Sequence, residues 1–273
     1  MEKLRIAFLG SGSMGGAILQ GLLDAGYPKE LLSATTKSDA SAIAWRQQGV
    51  SALATESSPD ANALLAGDAD LIVLGVKPKQ IVEVLQEISG EIGKNAVIIS
   101  LAAGIELETM AAVVANPNLI RTMPNTPAFV GKAVTGIAPA ASASQDAIDA
   151  TVSLFEAVGT AIVVSEEKIN ALSAISGSGP AWIYYFIEQW EQIALEQGFS
   201  QEDAKRLVRG TFDGAIDLLA QSDKEPVELR KNVTSPGGTT ERIIATFDEH
   251  DLRGIFAKGL AAAVARAQEL AGK

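Results

Sequence analysis

The sequence predicts a doubly wound α/β domain followed by an all-helical region, and three observations support this fold class. Short apolar runs alternate with helix-length amphipathic stretches through the first 165 residues, a pattern typical of a parallel sheet buried on both faces. A glycine-rich turn follows the first run. After Ser165 the strand pattern ends and only helix signals remain. We therefore expect one domain at residues 1–165 and a second, helical domain at residues 166–273.

The composition is typical of a globular protein and excludes several function classes. The chain has 273 residues, of which 47% are hydrophobic, and its formal net charge is −11. This charge disfavours nucleic acid or an anionic membrane as a general partner. No run approaches the roughly 18 apolar residues of a membrane span, and residues 1–9 lack the pattern of a signal peptide. Because the sequence has no cysteine, we expect no disulfides and a cytoplasmic location.

Five apolar runs are predicted as strands of the sheet, and each precedes or follows a helix-length segment. The first run leads into an amphipathic stretch at residues 14–25, predicted as a helix. The runs are residues 4–9, 71–76, 96–101, 119–123 and 161–164.

The helices of the second half are predicted from residues that favour helix starts and helix ends. Pro180 is suited to the start of a long helix rich in aromatic residues, and Gly198 to its end. Ser200 is suited to cap a second helix that runs to about residue 221. Two more helices are expected after Pro236 and over about residues 251–270. The pattern leaves two alternatives equally open: a compact bundle, or half of an interwoven dimer.

The glycine-rich turn predicts a dinucleotide-binding loop. The pattern Gly-x-Gly-x-x-Gly lies between a strand and a helix, where the glycines allow a tight turn, close approach of a pyrophosphate, and packing of the helix on the strand. The helix start supplies free N–H groups and positive potential. The alternative is a tight turn without a ligand. The loop consists of Gly10, Ser11, Gly12, Ser13, Met14 and Gly15.

The segment after the loop favours NADPH over NADH. NAD-binding folds usually carry a carboxylate about 20 residues past the loop, where it bonds the ribose 2′-hydroxyl. This chain instead has Thr35, Thr36 and Lys37, and its first carboxylate there is Asp39. Two hydroxyls and an ammonium group can bind a 2′-phosphate. The alternative is that this segment is only the polar end of a strand.

A second glycine-containing turn lies near the end of the chain. Residues 235–241 read Ser-Pro-Gly-Gly-Thr-Thr-Glu before a predicted helix, so hydroxyls gather where free backbone N–H groups occur. Such a turn suits a carboxylate or another small anion. An equally open alternative is a capped helix start, with Ser235 or Thr239 as the cap.

Metal and histidine chemistry are not expected. His250 is the only histidine and lies beside two carboxylates at a predicted helix start, where a solvated or capping role is expected. The sequence has no clustered pattern of metal ligands. The protein therefore has to work mainly by positioning a cofactor that performs the difficult step.

Three further motifs resemble those of the pyrroline-5-carboxylate reductase family in order and spacing. They are Arg-Thr-Met-Pro-Asn-Thr-Pro at residues 121–127, Ser-Gly-Ser-Gly-Pro-Ala at residues 176–181, and Val-Thr-Ser-Pro-Gly-Gly-Thr-Thr at residues 233–240. The resemblance extends over essentially the whole chain. It implies a Rossmann domain, a helical domain that intertwines in a homodimer, and further assembly of dimers into decamers. It also implies NAD(P)H-dependent reduction of 1-pyrroline-5-carboxylate to L-proline, the last step of proline biosynthesis.

The same resemblance implies roles for individual residues. Thr240 would direct its hydroxyl at the ring nitrogen of the substrate, and Glu166 would contact the substrate, although Ser165 fits the same role with a shift of one residue. The substrate-binding residues would be Glu166, Ser235, Gly237, Gly238, Thr239 and Thr240. Besides the six loop residues, the cofactor-binding residues would be Thr35, Thr36, Lys37, Asn62, Val76, Lys77, Pro78, Ala102, Ala103 and Asn232.

Two other functions remain open on the sequence. A hydroxy-acid or imine reductase for another small acid has the same domain plan, and a need for Lys205 or Lys231 as a catalytic lysine would favour the hydroxy-acid reaction. A non-catalytic NADPH sensor would bind the dinucleotide without oxidising it.

Overall fold

The computed structural model describes residues 4–270, and contacts between residues divide the chain into two compact units. The first unit contains the chain up to Ser178 together with the segment from Ala263 onwards. The second unit is Gly179–Ala262. The predicted boundary between residues 165 and 166 does not coincide with this division, and it stays a prediction.

The first unit is built on one eight-stranded sheet with the order β3-β2-β1-β4-β5-β6-β7-β8. All neighbouring strands are parallel except β6 and β7, which are antiparallel. The mainly parallel, doubly wound sheet expected from the apolar runs is therefore confirmed. The strands are β1 Ile6–Leu9, β2 Leu32–Thr36, β3 Ser51–Ala54, β4 Leu71–Leu74, β5 Val97–Ser100, β6 Leu119–Met123, β7 Ala133–Pro139 and β8 Gly159–Val163.

Helices cover both faces of this sheet and make up the second unit. Their bounds are α1 Ser13–Asp24, α2 Asp39–Gln47, α3 Ala61–Gly67, α4 Ile81–Ile88, α5 Leu107–Ala111, α6 Gln145–Glu156, α7 Ile169–Leu172, α8 Gly179–Glu196, α9 Gln201–Gln221, α10 Pro226–Asn232, α11 Thr239–Glu249 and α12 Leu252–Leu270.

Alternate residues of β1 pack into two separate hydrophobic clusters. Phe8 lies in the cluster that contains Leu22 of α1, whereas Leu9 lies in the cluster that contains Leu85 of α4. Successive side chains of a strand point to opposite faces, so an entirely apolar strand requires helices on both sides. All four residues of β1 are buried, and this burial fixes the position of the loop that follows.

The strand order places a topological switch point at β1. Ile6 pairs with Leu32 of β2 on one side and with Leu71 of β4 on the other. The chain runs from β1 to β2 and β3 on one side and then crosses to β4 on the other side, which opens a crevice at the carboxyl ends of β1 and β4. Ligands of open α/β sheets bind in such crevices.

Three strands and, in the second unit, the helix α10 were absent from the sequence prediction. β2 and β3 read Leu-Ser-Ala-Thr-Thr and Ser-Ala-Leu-Ala, so their small and polar residues give no apolar run. β7 contains a glycine and ends in proline, both of which weaken a strand signal. The helix α10 has seven residues, which is too short for a clear periodicity.

The second unit consists of helices whose predicted ends are largely confirmed. Ser200 accepts a hydrogen bond from the Asp203 N–H at the start of α9, and Gly198 has a φ of +89° after α8. Aromatic rings pack between its helices: the Trp190 and Phe212 centroids are 5.6 Å apart in an edge-to-face arrangement. Within residues 4–270, no helix combines the length and the apolar character that crossing a membrane requires.

Candidate active site

Glycine is needed for a different reason at each of the three glycine positions of the dinucleotide loop. Gly10 has a φ of +86°, and a Cβ there would lie 2.6 Å from Val76 Cγ1. A Cβ on Gly15 would lie 2.8 Å from the Gly10 carbonyl oxygen. A Cβ on Gly12 would meet nothing within 4 Å. Packing therefore requires the first and third glycines, whereas the second borders open space that a ligand can fill.

The backbone of this loop fits a pyrophosphate group. The N–H of Ser11 donates to the Thr35 carbonyl at 2.8 Å, and the N–H of Gly10 donates to Thr35 Oγ1 at 2.8 Å. α1 begins at Ser13, and the first N–H groups of a helix have no partner within the helix. These groups and the positive end of the helix dipole face the open space at Gly12, an arrangement suited to an anion.

The end of β2 carries the residues predicted to contact the adenosine. Thr35 is 1% exposed, and its hydroxyl donates to Asn62 Oδ1 at 2.8 Å. The Thr36 hydroxyl donates to a backbone carbonyl two residues further on. Both hydroxyls are thus engaged within the protein. Of the three predicted side chains, Lys37 is the one that is exposed.

Asn62 is held at both ends of its side-chain amide. It accepts from Thr35, and its Nδ2 donates to Glu87 Oε2 at 2.9 Å. The residue is buried, with 6% exposure. Sequence reasoning selected Asn62 but missed Glu87, which lies on α4 and carries no signal that separates it from other glutamates of an amphipathic helix.

Two short segments after β4 and β5 lie at the same edge of the sheet as the glycine loop. Val76, Lys77 and Pro78 follow β4, and the backbone N of Val76 would lie 2.9 Å from a Cβ on Gly10. Ala102 and Ala103 follow β5. Lys77, Pro78 and Ala103 are exposed, whereas Ala102 is buried. The structure therefore brings together the loop, Thr35, Asn62 and these two segments.

Glu166 forms an ion pair inside the first unit. Its Oε1 accepts from the Leu107 N–H at 2.7 Å and lies 3.3 Å from Arg121 Nη1. The Arg121 side chain is 3% exposed and that of Glu166 is 31% exposed. Arg121 Nε has no hydrogen-bond partner among the described residues. The pair joins β6, the start of α5 and the turn at Glu166.

Asn125 connects two of the sequence motifs. Its Nδ2 donates to the Ser176 carbonyl at 2.9 Å, and its Oδ1 accepts from the Val134 N–H at 2.9 Å. Ser176 belongs to a π-helical turn, Ser173–Gly177, a conformation often found at functional sites. Sequence reasoning used both motifs but did not assign Asn125 a role. The signal that could have identified it is its position within the motif at residues 121–127.

The second predicted anion turn lies in the second compact unit. Gly237 has a φ of +71°, and the Gly238 N–H donates to the Ser235 carbonyl at 2.9 Å. α11 begins at Thr239 with Gly238 as its N-cap and no capping side chain. The alternative in which Ser235 or Thr239 caps this helix is therefore wrong. The first N–H groups of α11 are left for another acceptor, which suits a carboxylate.

The remaining predicted residues of this unit are exposed or half-buried. Ser235 and Thr239 are exposed, and Thr240 is half-buried. Asn232 is exposed and is the last residue of α10. The N–H of Gly237 donates to Glu241 Oε2 at 2.8 Å, which holds the turn in place.

His250 lies at the end of α11 rather than at a helix start. Its Nδ1 is 2.9 Å from the Thr246 carbonyl oxygen, and the side chain is exposed. Among the residues that the structure describes, no three or more His, Asp or Glu side chains are grouped in a way that could hold a metal ion.

Comparisons with known proteins match both halves of the chain. Residues 166–270 match the family model for pyrroline-5-carboxylate reductase dimerisation. Residues 5–104 match the model described as NADP oxidoreductase, coenzyme F420-dependent. A curated pyrroline-5-carboxylate reductase from Vibrio alginolyticus is 39% identical over 99% of this chain and 98% of its own length. The chain belongs to the pyrroline-5-carboxylate reductase family.

Solved structures of pyrroline-5-carboxylate reductases have the same fold. The enzyme from Coxiella burnetii superposes with a TM-score of 0.92 at 34% identity, covering 98% of this chain and 99% of that one. The Plasmodium falciparum enzyme, solved with NADP bound, gives a TM-score of 0.84 at 26% identity, covering 99% of both chains. Membership of the pyrroline-5-carboxylate reductase family accounts for the sheet and for the helical region that follows it.

Proposed function

We propose that this chain reduces 1-pyrroline-5-carboxylate to L-proline with NAD(P)H, the last step of proline biosynthesis. The observation that carries the proposal is full-length similarity to pyrroline-5-carboxylate reductases, with 39% identity to the one from Vibrio alginolyticus. Two local features support it independently. One is the open space at Gly12 in front of a helix start, and the other is the uncapped start of α11.

The dinucleotide is proposed to bind along the carboxyl edge of the sheet. The loop from Gly10 to Gly15 holds the pyrophosphate, and the exposed ammonium group of Lys37 neutralises a 2′-phosphate, so NADPH is preferred over NADH. The nicotinamide lies toward the segments after β4 and β5. The further cofactor-binding residues of the proposal are Thr35, Thr36, Asn62, Val76, Lys77, Pro78, Ala102, Ala103 and Asn232.

The substrate carboxylate is proposed to bind the turn from Ser235 to Thr240. The free N–H groups at the start of α11 and the hydroxyls of the turn provide donors for a carboxylate. Glu166 is proposed as a further substrate contact, with its position fixed by Arg121. A small anionic imine therefore binds without any need for a general excess of positive charge on the protein.

The chemistry requires little of the protein beyond positioning. When bound, the reduced nicotinamide supplies a hydride to the imine carbon, and the ring nitrogen gains a proton, so that the C=N bond becomes an amine. The Thr240 hydroxyl bonds the ring nitrogen and polarises the C=N bond. A fixed orientation of the imine provides most of the acceleration, and the proton reaches the nitrogen from solvent or through Thr240.

We extend the proposal to assembly and location. The dimerisation model matches residues 166–270, which supports a homodimer formed through the helical domain at residues 166–273. Further assembly of dimers into decamers is tested by light scattering coupled to size-exclusion chromatography. We propose that the enzyme acts in the cytoplasm, which cell fractionation with an antibody to the chain would test.

The proposal is tested by following the absorbance of NADPH and NADH after addition of 1-pyrroline-5-carboxylate. We expect oxidation of both dinucleotides, faster with NADPH at subsaturating concentration, and formation of proline in equal amount. A six-membered cyclic imine added in parallel measures tolerance of ring size. No oxidation with the five-membered imine would overturn the proposal, and dinucleotide binding without oxidation would favour a sensor.

A further inference from the structure

The glycine loop is joined to helix α4 by a chain of side-chain hydrogen bonds, here called the Gly10–Glu87 relay. It consists of the Gly10 N–H, the Thr35 hydroxyl, the Asn62 amide and the Glu87 carboxylate. The three bonds measure 2.8, 2.8 and 2.9 Å. Thr35 and Asn62 are buried, with 1% and 6% exposure. Their polar atoms therefore depend on one another rather than on water.

The two ends of the relay fix the direction of every bond within it. A backbone N–H can only donate, and an ionised carboxylate can only accept. The Thr35 hydroxyl must therefore accept from Gly10 and donate to Asn62. The amide of Asn62 must turn its oxygen to Thr35 and its NH2 group to Glu87. Each group has one consistent arrangement.

A flipped Asn62 amide would break this order. Its NH2 group would then face the Thr35 hydroxyl, whose hydrogen would have to turn away from Asn62. The Thr35 oxygen would accept from both Gly10 and Asn62, its own hydrogen would lose the Asn62 acceptor, and the Asn62 oxygen would face the Glu87 carboxylate. Glu87 prevents the flip because its carboxylate accepts from the NH2 group and has no hydrogen to donate to the amide oxygen.

We propose that Glu87 is a positioning residue for the dinucleotide: acting through Asn62 and Thr35, it fixes the Gly10 N–H and with it the shape of the pyrophosphate-binding loop. This inference rests on the proposed function, in which the loop from Gly10 to Gly15 holds the dinucleotide. Glu87 itself touches neither cofactor nor substrate in this assignment. Its effect is confined to the affinity for the dinucleotide.

The loop has a second attachment that keeps the fold intact when the relay is broken. The Thr35 carbonyl accepts from both the N–H and the hydroxyl of Ser11, at 2.8 and 3.0 Å. Glu87 lies on the exposed side of α4, while its neighbours Leu85 and Ile88 fill the core. Loss of the Glu87 carboxylate should therefore loosen Gly10 without unfolding the sheet.

The first test compares Glu87→Leu, Glu87→Gln and the matched control Glu83→Leu in the full-length chain. Glu83 is an exposed glutamate one turn earlier on α4. Dissociation constants for NADPH and NADH are measured by isothermal titration calorimetry, with thermal unfolding as a readout of stability.

Because one hydrogen bond to a charged group is lost, we expect Glu87→Leu to weaken the binding of both dinucleotides about tenfold. The KM for the imine should remain unchanged, and the chain should remain folded at the titration temperature, with a modest fall in the unfolding midpoint because the Asn62 NH2 group loses its acceptor. Glu87→Gln should retain most of the affinity, since its oxygen can still accept, and Glu83→Leu should bind as the unaltered chain does.

The second test reverses the polarity of the last bond. Asn62→Asp places two acceptors, Asp and Glu87, against each other and should weaken dinucleotide binding. In the double variant Asn62→Asp/Glu87→Gln, the new amide donates to the new carboxylate, which still accepts from Thr35. Binding should therefore recover by about fivefold relative to Asn62→Asp alone.

Equal affinity of Glu87→Leu and the unaltered chain would overturn the inference. An equal loss of affinity in Glu83→Leu, or an absence of recovery in the double variant, would also overturn it. An unaltered chain that binds no dinucleotide would overturn it as well. By contrast, a chain that binds NADPH through the relay but does not oxidise it with 1-pyrroline-5-carboxylate would overturn only the proposed function.

Discussion

Arg121 on β6 and Glu166 form an ion pair of 3.3 Å in which the arginine is buried. The carboxylate also accepts the Leu107 N–H at 2.7 Å. Removal of Glu166 leaves a buried guanidinium without its charge partner, which is more costly than losing a surface ion pair. The pair therefore matters to stability whether or not Glu166 also contacts the substrate.

We expect Glu166→Ala to lower the free energy of unfolding by about 2 kcal/mol, as measured by urea denaturation. Glu167→Ala is the matched control, because Glu167 is adjacent and exposed. An unchanged unfolding midpoint for Glu166→Ala would show that the ion pair contributes nothing to stability. A rise in the KM for the imine in Glu166→Gln would separately support the substrate contact.

Alanine substitutions at Gly12 and Gly15 should differ in their effects on stability and on NADPH binding. A methyl group on Gly15 collides with the Gly10 carbonyl, so Gly15→Ala should cost about 1–3 kcal/mol of stability. Gly12→Ala meets open space, so it should fold as the unaltered chain does and yet bind NADPH at least about tenfold more weakly by crowding the pyrophosphate. Thermal unfolding and calorimetric titration measure the two effects. Destabilisation by Gly12→Ala would contradict this assignment.

Lys37 should distinguish the two dinucleotides. Its exposed ammonium group can pair with a 2′-phosphate that NADH lacks, so Lys37→Ala should raise the KM for NADPH about fivefold and leave that for NADH unchanged. Lys94→Ala, at the opposite, amino-terminal end of β5, is the control. An equal change in both KM values would locate the phosphate contact elsewhere.

Thr240 should affect turnover rather than dinucleotide binding. We expect Thr240→Val to reduce kcat about tenfold or more, because a hydrogen bond to the reacting nitrogen is lost. Thr240→Ser, which keeps the hydroxyl, should retain most of the activity. Steady-state kinetics together with the NADPH dissociation constant provide the measurement, and unchanged kinetics in Thr240→Val would exclude the assigned role.

Because of Tyr27, the free energy of unfolding should depend on pH in the alkaline range. Burial raises the pKa of the Tyr27 hydroxyl above its usual value near 10, and this hydroxyl donates to the Leu4 carbonyl at 2.6 Å. A raised pKa in the folded state means that stability is fully present below about pH 10 and is lost as the pH rises through the folded pKa. Tyr27→Phe should cost about 1 kcal/mol at pH 8. At pH 10.5, urea unfolding should give a smaller difference in the free energy of unfolding between Tyr27→Phe and the unaltered chain. A difference that stays the same at pH 8 and pH 10.5 would contradict this dependence on the Tyr27 pKa.

The strongest sequence signals came from residues that are buried on all sides. β1 and β4 are runs of buried apolar residues, and β5 is one up to its final serine, so hydrophobicity alone reveals them. β2 and β3 are also buried in part, but apart from one leucine each they consist of alanine, serine and threonine, whose burial is decided by the neighbouring strands. Their position depends on pairing across the sheet, which local periodicity does not encode.

The candidate site also contains residues that a local sequence pattern reveals and residues whose roles depend on tertiary pairing. Gly10, Gly12 and Gly15 are recognisable because a local turn requires them, and the turn at Gly237 and Gly238 is recognisable for the same reason. Glu87 acts through a partner 25 positions away, and Asn125 through partners 9 and 51 positions away. Such pairings arise from the tertiary fold. The local pattern does not indicate the one at Glu87, and for Asn125 the sequence signal is its position in the motif at residues 121–127.

The strand order also determines when the dinucleotide site can first exist during synthesis. The described groups that hydrogen-bond the backbone of Gly10 and Ser11 come from β2, and β1 obtains both its sheet neighbours once β4 has left the ribosome. Short loop closures favour early pairing among these strands. A nascent chain thus contains the complete phosphate cradle well before the segment with Thr240 is translated, so dinucleotide bound at this stage would stabilise the half-made protein by mass action.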